Sequence, residues 1–297
     1  MKRILPVALA AIAAVVLARV AVADTIPFPA VHSGDVFVIA HTVTTDGAMS
    51  SSFAPGGNVV FRAYAVDGKT HKILTGNSVT YFYVKIPNQP NVKLKYDPKA
   101  LGASGQYAWT GTWAVPADYP TGLVDIKVLV KSKAKRLGSF VQVPVGPSQL
   151  TISQSPQLPG SAGPGTAAAP TGKVSTVIYA DSVNGTRPAG AAPRPIGCTQ
   201  TNVYKRGEQF VLRTWGFDLT SGDVLSIDNV SEAHFTVPGV PNVTLNWGSH
   251  GPGKVFFWTN AWQIPATYPL GDLTVHISFT LTSGTVAALD YPITIIP

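Results

Sequence analysis

Apolar and polar residues alternate along most of the chain with a period of two. In the segment 273–281, apolar residues occupy every second position from Leu273 to Leu281, and threonine, histidine and serine stand between them. The segment 124–130 follows the same pattern. A period of two is that of a β-strand with one buried face, whereas an amphipathic helix repeats its apolar residues about every 3.6 positions. The pattern predicts an all-β protein, and the sequence after residue 23 contains no convincing amphipathic helix.

The second half of the chain repeats the first. Residues 109–122 read WTGTWAVPADYPTG and residues 258–271 read WTNAWQIPATYPLG, so that eight of the fourteen positions are identical. Upstream, residues 56–94 align without a gap on residues 207–245, at an offset of 151. Each copy spans about 120 residues, which is a normal size for a domain with its own core. The repeat predicts two tandem copies of one domain, each burying its own apolar layer.

The N-terminus has the features of an export signal. Lys2 and Arg3 precede the apolar run 4–17, and Ala21-Val22-Ala23 is a small-x-small cleavage site. The alternative is an uncleaved membrane anchor, but the apolar run is shorter than the roughly 20 residues that a span needs. We therefore predict a signal peptide at 1–23, cleavage after Ala23, and a periplasmic or secreted protein.

A linker separates the two copies. Residues 153–171 are almost entirely Pro, Gly, Ala, Ser, Gln and Thr and carry no charge. Because such a composition offers little apolar surface to bury, we expect a flexible tether at 153–173 between domains at 24–152 and 174–297. An enlarged surface loop is expected at 184–197, and its segment 187–194 is a candidate part of a binding surface.

The repeated motif resembles one found in bacterial immunoglobulin-like domains. The pattern W-x-x-P-x-x-Y-P-x-G is carried by Trp113, Pro116, Pro120 and Gly122, is repeated at 262–271, and is followed in both copies by an alternating strand. The resemblance implies two tandem immunoglobulin-like β-sandwiches, with the usual role of exported modules that bind, space or assemble other proteins. The paired cysteines of antibody domains are missing, since Cys198 is the only cysteine and no internal disulfide can form.

The charge of the chain is mildly basic. The formal net charge is +7, and removal of the three basic residues within 1–23 leaves +4. The densest basic run is 127–136, with five basic residues in ten. It fits contact with an anionic surface such as lipopolysaccharide, a membrane or an acidic protein, or else a solvated hairpin whose lysines discourage pairing of strand edges. Nucleic acid is not an expected partner of an exported chain without a recognisable binding motif.

Two sets of repeated residues are candidates for binding. Exposed aromatic rings could stack on a sugar or anchor a protein partner, while buried rings would serve packing. In the second set, an arginine lies two residues before an aromatic residue, which predicts a ligand patch or an arginine stacked on a ring and tied to the nearby Asp67 or Asp218. The candidates are Trp109, Trp113, Trp258 and Trp262 in the first set, and Arg62, Tyr64, Arg213 and Trp215 in the second.

Catalytic and metal-binding motifs are missing from the sequence. It contains no Gly-x-Ser-x-Gly, His-Glu-x-x-His or phosphate loop, and no two histidines have ligand spacing. His41 and Asp181 fall at roughly matching positions of the two opening strands, a match that chance could also give. We predict a non-catalytic exported binding or assembly protein without cofactor that engages another exported protein or a cell-surface component. The alternative is an accessory or carbohydrate-binding subunit of an exported enzyme, and a weaker one is an enzyme with an unrecognised site.

Overall fold

The computed structural model describes residues 35–103, 107–185, 197–250 and 255–297. The predicted signal peptide and the loop segment 187–194 lie outside the described residues and stay predictions. Within the described ranges, no helix has the length and apolar character needed to cross a membrane.

The described chain is built from twenty strands and two short 3-10 turns, Gly76–Ser78 and Gly146–Ser148. The first half contains β1 (Val36–Val43), β2 (Ser52–Phe53), β3 (Asn58–Asp67), β4 (Val79–Lys85), β5 (Val92–Lys93), β6 (Lys95–Tyr96), β7 (Trp109–Ala114), β8 (Gly122–Leu123), β9 (Lys127–Ser132), β10 (Leu137–Val141) and β11 (Thr151–Ile152). The second half contains β12 (Thr176–Asn184), β13 (Val203–Lys205), β14 (Gln209–Asp218), β15 (Val230–Val237), β16 (Val240–Thr244), β17 (Asn246–His250), β18 (Val255–Gln263), β19 (Gly271–Leu281) and β20 (Val286–Ile296).

Each half is a β-sandwich with the same strand order. In the first half, the sheet β1-β3-β7-β6 faces the sheet β10-β9-β4-β5, and a small sheet β2-β11-β8 closes one end. In the second half, β12-β14-β18-β17 faces β13-β20-β19-β15-β16. The prediction of an all-β protein with two tandem immunoglobulin-like sandwiches is confirmed.

The expected alternation places the core between the two sheets of each half. Val128 and Val130 of β9 are buried, as are Val275, Ile277 and Phe279 of β19. The charged and polar residues of the other parity point outwards, because successive side chains of a strand lie on opposite faces of the sheet.

One edge of each sandwich is formed by a chain segment that crosses from one sheet to the other. In the first half the crossing residue is the buried Leu94, whose backbone N–H donates to the carbonyl oxygen of Phe82 at 2.9 Å. In the second half Leu245 makes the same bond to Ala233 at 2.8 Å. The two crossings occupy equivalent positions of the repeat, so their neighbouring surfaces can be compared residue by residue.

The two halves pack on each other through equivalent residues. Ser50 forms an antiparallel bridge with Thr201, its own counterpart at an offset of 151. The N–H of Met49 donates to the Asn202 side chain at 2.8 Å, and the N–H of Gln200 donates to the Ser51 hydroxyl at 3.1 Å. Each of these bonds is the repeat-equivalent of the other. The contact therefore has the geometry of an isologous interface, with a pseudo-twofold relation between the copies.

The apolar layers of the two halves are continuous, which corrects the expectation that each half buries its own layer independently. Tyr179, Trp215 and Phe217 of the second half belong to the same buried cluster as the core of the first half. The ring centroids of Phe37 and Phe217 lie 5.2 Å apart. All eight residues of β1 are buried, because the strand has the core on one face and the second half on the other.

Residues 163–170 of the linker are buried or half-buried against the two halves, where a flexible tether was expected from composition, whereas much of 153–162 and all of 171–173 are exposed. Thr166, Ala167 and Ala169 are buried, and the Asn202 side chain donates to the carbonyl oxygen of Gly165 at 2.5 Å. Small residues allow this close approach: a Cβ added at Gly163 would lie 2.3 Å from the Cα of Ala48. The domain limits at 24–152 and 174–297 remain our proposal.

The packed linker makes a specific substitution costly. We expect Gly163→Ala to lower the free energy of unfolding by about 1–3 kcal/mol, because the new methyl group overlaps the backbone of the first half. Urea unfolding followed by tryptophan fluorescence measures the change.

The matched control is Gly146→Ala, where an added methyl group would meet nothing within 4 Å. Its effect should stay within about 0.5 kcal/mol. Equal stability of both variants would mean that the linker is a free tether in solution.

Candidate functional site

The four repeated tryptophans serve packing inside the sandwiches. Trp109, Trp113, Trp258 and Trp262 are 5–7% exposed. The indole N–H of Trp109 donates to the Leu74 carbonyl oxygen at 2.9 Å, and that of Trp258 donates to Leu225, the repeat-equivalent residue, at 2.7 Å. Rings held in this way form no exposed platform for a sugar or a protein partner, so the packing alternative applies to them.

The repeated motif is itself a packing unit. The ring of Trp113 meets that of Tyr119 edge-on with centroids 5.0 Å apart, and Trp262 meets Tyr268 in the same way at 4.9 Å. The spacing of Trp and Tyr in W-x-x-P-x-x-Y brings the two rings together across the turn that the proline introduces. The motif therefore contributes to packing in both copies.

The arginine–aromatic pairs lie at the interface between the halves, and the partners expected for the arginines are wrong. Arg213 pairs with Asp181 of the neighbouring strand, at 2.7 Å, and Asp67 pairs with Arg136. Residues five apart on a strand point to opposite faces, so Asp67 and Asp218 face away from Arg62 and Arg213. Tyr64 and Trp215 are buried at the same interface.

Arg213 and Asp181 are the centre of a buried polar cluster. Two guanidinium nitrogens of Arg213 donate to the two carboxylate oxygens of Asp181, each at 2.7 Å. Tyr179 and Gln200 also donate to this carboxylate, at 3.0 and 2.8 Å. Across the interface, a third guanidinium nitrogen donates to the hydroxyl of Ser148 in the first half, at 2.9 Å. We name these five residues together with His41 the interdomain cluster.

β1 contributes His41 to the interdomain cluster. His41 and Asp181 occupy equivalent strand positions in the two halves, so their match in the sequence is not a coincidence. In strand register His41 lies opposite Arg62 and Asp181 lies opposite Arg213, so the two occupy the same position of the repeat. The imidazole stacks on the Tyr179 ring at 4.9 Å. It borders a cavity of about 10 Å³, which has room for about one water molecule.

Burial controls the protonation of this cluster. It lowers the pKa of His41 to about 4, and the nearby charge of Asp181 opposes the shift only in part. Burial and Asp181 both raise the pKa of Tyr179 well above its usual value. Burial disfavours the charge of Arg213, but the attraction and hydrogen bonds of Asp181 outweigh it and raise the pKa of the guanidinium. At neutral pH the cluster therefore contains one ion pair, a neutral imidazole and a neutral phenol.

The chemistry available to the interdomain cluster is that of a structural contact. The Asp181 carboxylate is held by hydrogen bonds from its neighbours, and His41 is held by stacking on Tyr179. The side chains of His41, Asp181 and Arg213 are at most 4% exposed. Across the described ranges, no group of three or more His, Cys, Asp or Glu side chains is arranged to hold a metal ion.

The outer face of the sheet β9-β4-β5 is an exposed surface of a different kind. Tyr81 lies opposite Lys131 across the β4–β9 pair, Tyr83 lies opposite Leu129, and Lys85 lies opposite Lys127. Lys93 of β5 adjoins Tyr83 on the other side. The rings of Tyr81 and Tyr83 are 5.2 Å apart. We name this surface the basic face: Tyr81, Tyr83, Lys85, Lys93, Lys127, Leu129 and Lys131.

The second copy has different chemistry at the same positions. Glu232 and His234 replace Tyr81 and Tyr83, and Thr236 replaces Lys85. On the partner strand β19, all three positions that match Lys127, Leu129 and Lys131 also differ; they are His276, Ser278 and Thr280. The basic run 127–136 therefore contributes its strand residues to this face, whereas Arg136 is held by Asp67.

The basic run 127–136 predicted Lys127 and Lys131 of the basic face, but the sequence prediction did not include Lys85, Lys93 or the two tyrosines. The signal was present in Thr80–Lys85, where Tyr81, Tyr83 and Lys85 share the outward parity. The residues at these positions differ between the two copies, so the repeat itself does not mark them.

Comparisons with known proteins place the chain in no family. No family model matches it, and no curated protein matches it. Among solved structures, it is similar to the fibronectin(III)-like modules of Clostridium thermocellum CbhA, at 9% identity and a TM-score of 0.21, covering 86% of this chain and 94% of that one. It is also similar to SGBP-B of a Bacteroides ovatus mixed-linkage glucan utilization locus, solved in complex with a mixed-linkage heptasaccharide. The identity is 9% and the TM-score is 0.18, and the match covers 82% of this chain and 54% of that one. Neither similarity assigns a ligand to this chain.

Removal of the buried carboxylate should destabilise the protein strongly. Asp181→Ala leaves the Arg213 guanidinium buried without its counter-charge, and we expect a loss of about 3–5 kcal/mol in unfolding free energy. Asp290→Ala, which breaks the exposed pair with His276, should cost about 1 kcal/mol or less. Denaturant unfolding of both variants measures the difference, and comparable losses would contradict the structural role of the interdomain cluster.

His41 should make the stability of the protein depend on pH. Its pKa is about 4 in the folded state and about 6.5 in an unfolded chain. Between these values the unfolded state binds a proton that the folded state does not, so stability is full above pH 6.5 and is lost as the pH falls towards 4. The full effect is about 3 kcal/mol.

Unfolding free energies between pH 7 and pH 4 test this dependence. We expect His41→Phe to flatten the profile in that window. An equal slope in wild type and His41→Phe would show that His41 is accessible to protons in the folded protein.

Proposed function

We propose that this chain is a non-catalytic exported binding protein that engages an acidic exported protein or cell-surface component through the basic face. The single observation that carries the proposal is the composition of that face, in which two tyrosines and a leucine lie among four lysines on an outward strand surface. Export follows from the signal peptide predicted at 1–23.

The basic face combines the two elements that a binding surface needs. Tyrosine supplies a large contact area with few rotatable bonds and is enriched among the residues that dominate binding energy. The lysines attract an acidic partner and orient it during approach, and this contribution weakens as salt is added. The lysines also keep neighbouring molecules from pairing at the sheet edge, so the solvated-hairpin alternative and the binding proposal are compatible.

Divergence between the copies supports a functional role for this face. Residues shared by both halves, such as the repeated tryptophans, are explained by packing. The basic face is exposed, and none of its seven residues is retained in the second copy. Because the residues of the basic face are exposed, core packing does not restrict which side chains can stand there. The residues that differ between the copies can therefore serve recognition of a partner.

The interdomain cluster supports this function by fixing the orientation of one half relative to the other. Because the interface is buried and includes an ion pair, the second half is held in one orientation relative to the basic face. We propose that the two halves act as one rigid body, in place of two modules on a tether.

Charge reversal on the basic face tests the proposal. The mature chain 24–297 is immobilised and exposed to the exported-protein and surface fractions of the source organism. We expect one stoichiometric acidic component to be retained, and Lys85→Glu with Lys131→Glu to weaken its binding at least tenfold, equivalent to about 1.4 kcal/mol. Raising the salt concentration from 50 to 500 mM should also weaken it, because the attraction is screened.

The matched control places the same charges on the second copy, as Thr236→Glu with Thr280→Glu. These positions correspond to Lys85 and Lys131, and the control should bind like the wild type. Retention of the component by the charge-reversed face, or its equal loss in both double variants, would exclude the basic face as the binding surface.

A further inference from the structure

A groove runs along the edge of the second sandwich, where the chain crosses between the sheets at Leu245. It has a volume of about 580 Å³ and lies between β15 and β16 on one side and β17 on the other. This volume is within the range of about 300–1,000 Å³ that is typical of small-molecule sites. The groove covers part of the second copy's surface that matches the basic face of the first, because Glu232, His234 and Thr244 stand at the positions of Tyr81, Tyr83 and Lys93. The two surfaces lie on different copies and share no residue.

Trp247 forms the apolar floor of the groove. The other five tryptophans are buried, whereas Trp247 is half-buried and lines the groove. Its ring packs against Trp258 at 5.4 Å and Phe256 at 5.9 Å. Trp258 is fixed in turn by its hydrogen bond to Leu225. The exposed part of the indole is therefore held in one orientation, so a ligand would bind it at little cost in side-chain entropy.

The rim of the groove carries uncharged polar groups and one carboxylate. Asn242, Thr244 and Asn246 are exposed around the groove, and Glu232 and His234 line it from β15, where His234 lies beside Thr244. The Asn260 side chain donates to the Thr244 carbonyl oxygen at 2.6 Å and ties the rim to β18. Amide, hydroxyl and carboxylate groups can donate to and accept from hydroxyl groups on one ligand. No lysine or arginine is among the described residues that line the groove.

The first copy lacks this combination at the equivalent positions. Lys93 and Lys95 stand where the second copy has Thr244 and Asn246, and Tyr96 stands in place of Trp247. A Cβ added at Gly76 would lie 3.1 Å from the Tyr96 ring, whereas Ile227, at the matching position, is exposed at the groove. The first copy has a groove of about 670 Å³ at this edge, but Lys93 and Lys95 line it. The uncharged polar lining beside an indole is therefore what distinguishes the groove of the second copy.

We propose that this groove binds a neutral oligosaccharide, with one sugar ring stacked on the indole of Trp247. The C–H face of a sugar is complementary to an aromatic ring, and its hydroxyl groups are complementary to the side chains of Asn242, Asn246 and Glu232. Two other kinds of ligand fit the groove less well. An anionic ligand would be repelled by Glu232 with no lysine or arginine among the described lining residues to compensate. An apolar peptide would leave the amide groups of the rim without hydrogen-bond partners. The site does not depend on the function proposed for the basic face.

Binding of defined sugars to the mature chain 24–297 tests the proposal. The probes are hexasaccharides of β-1,4-glucose, β-1,4-xylose, β-1,4-mannose and α-1,4-glucose, with hexagalacturonate as the anionic comparison. Calorimetry measures affinity, and the indole N–H signals in an NMR spectrum report which tryptophan is contacted. We expect at least one neutral hexasaccharide to bind with a dissociation constant below about 1 mM, equivalent to about −4 kcal/mol, and to shift the Trp247 signal.

Three variants locate the site. Trp247→Ala should weaken binding at least tenfold, and Asn242→Ala with Asn246→Ala, at exposed positions that the fold does not need, should weaken it about threefold or more. Tyr96→Ala, the matched change in the first copy, should leave the affinity unchanged. Circular dichroism and thermal unfolding check that each variant folds. If Trp247→Ala does not fold, the double variant Asn242→Ala with Asn246→Ala still tests the site.

Several results would overturn the proposal. They are the failure of every neutral hexasaccharide to bind at 5 mM, tighter binding of hexagalacturonate, unchanged affinity in both the Trp247 and the asparagine variants, and equal loss in Tyr96→Ala. Loss of sugar binding in the charge-reversed basic face would also overturn it, since that result would place the sugar on the first copy.

Discussion

The burial of Arg213 is the constraint on which the arrangement of this protein depends. A guanidinium that leaves water needs a counter-charge and partners for its remaining donors, or the folded state loses several kcal/mol. Asp181 supplies the charge from the adjacent strand, and Ser148 supplies an acceptor from the other half of the molecule. The ion pair is therefore fully satisfied only when the halves are docked. This requirement selects one relative orientation, which aromatic stacking such as that of His41 on Tyr179 then reinforces.

Periodicity and repetition were sufficient to predict the two sandwiches but could not predict their interface. The residues of β1 read VFVIAHTV, and each parity of this strand is buried by a different partner. The second partner lies in another part of the chain, so the strand's own pattern does not identify it. The prediction of a flexible tether was wrong for a related reason. Small residues bury little apolar area, which predicts disorder, but their small size also lets Gly163 approach the backbone at Ala48. In both cases the missing information concerned tertiary packing, which overrides local composition.

Residues that are identical in the two copies serve packing, whereas the candidate binding surfaces lie where the copies differ. The identical residues of the motif attract attention in the sequence, but identity between copies reflects the packing that both must preserve. The arginines were assigned the wrong acids because sequence distance was weighed without strand parity; Arg62 and Asp67 are near in sequence and on opposite faces. The exposed positions were predictable in principle. Alignment of the outward residues of β4 and β15 alone separates Tyr81 and Tyr83 from Glu232 and His234.

Duplication explains how two surfaces of opposite character can arise on one fold. Each lies beside the crossing between the sheets, at Leu94 or Leu245, where many of the side chains are exposed. Substitution there changes recognition without a large cost in stability, since exposed positions away from the core are usually worth less than about 0.5 kcal/mol. The buried interface then holds the two diverged edges at a fixed separation. A partner that offered both an acidic surface and a neutral glycan would bind the second site at a raised effective concentration, and rigid docking would make that gain depend on the spacing between its two epitopes.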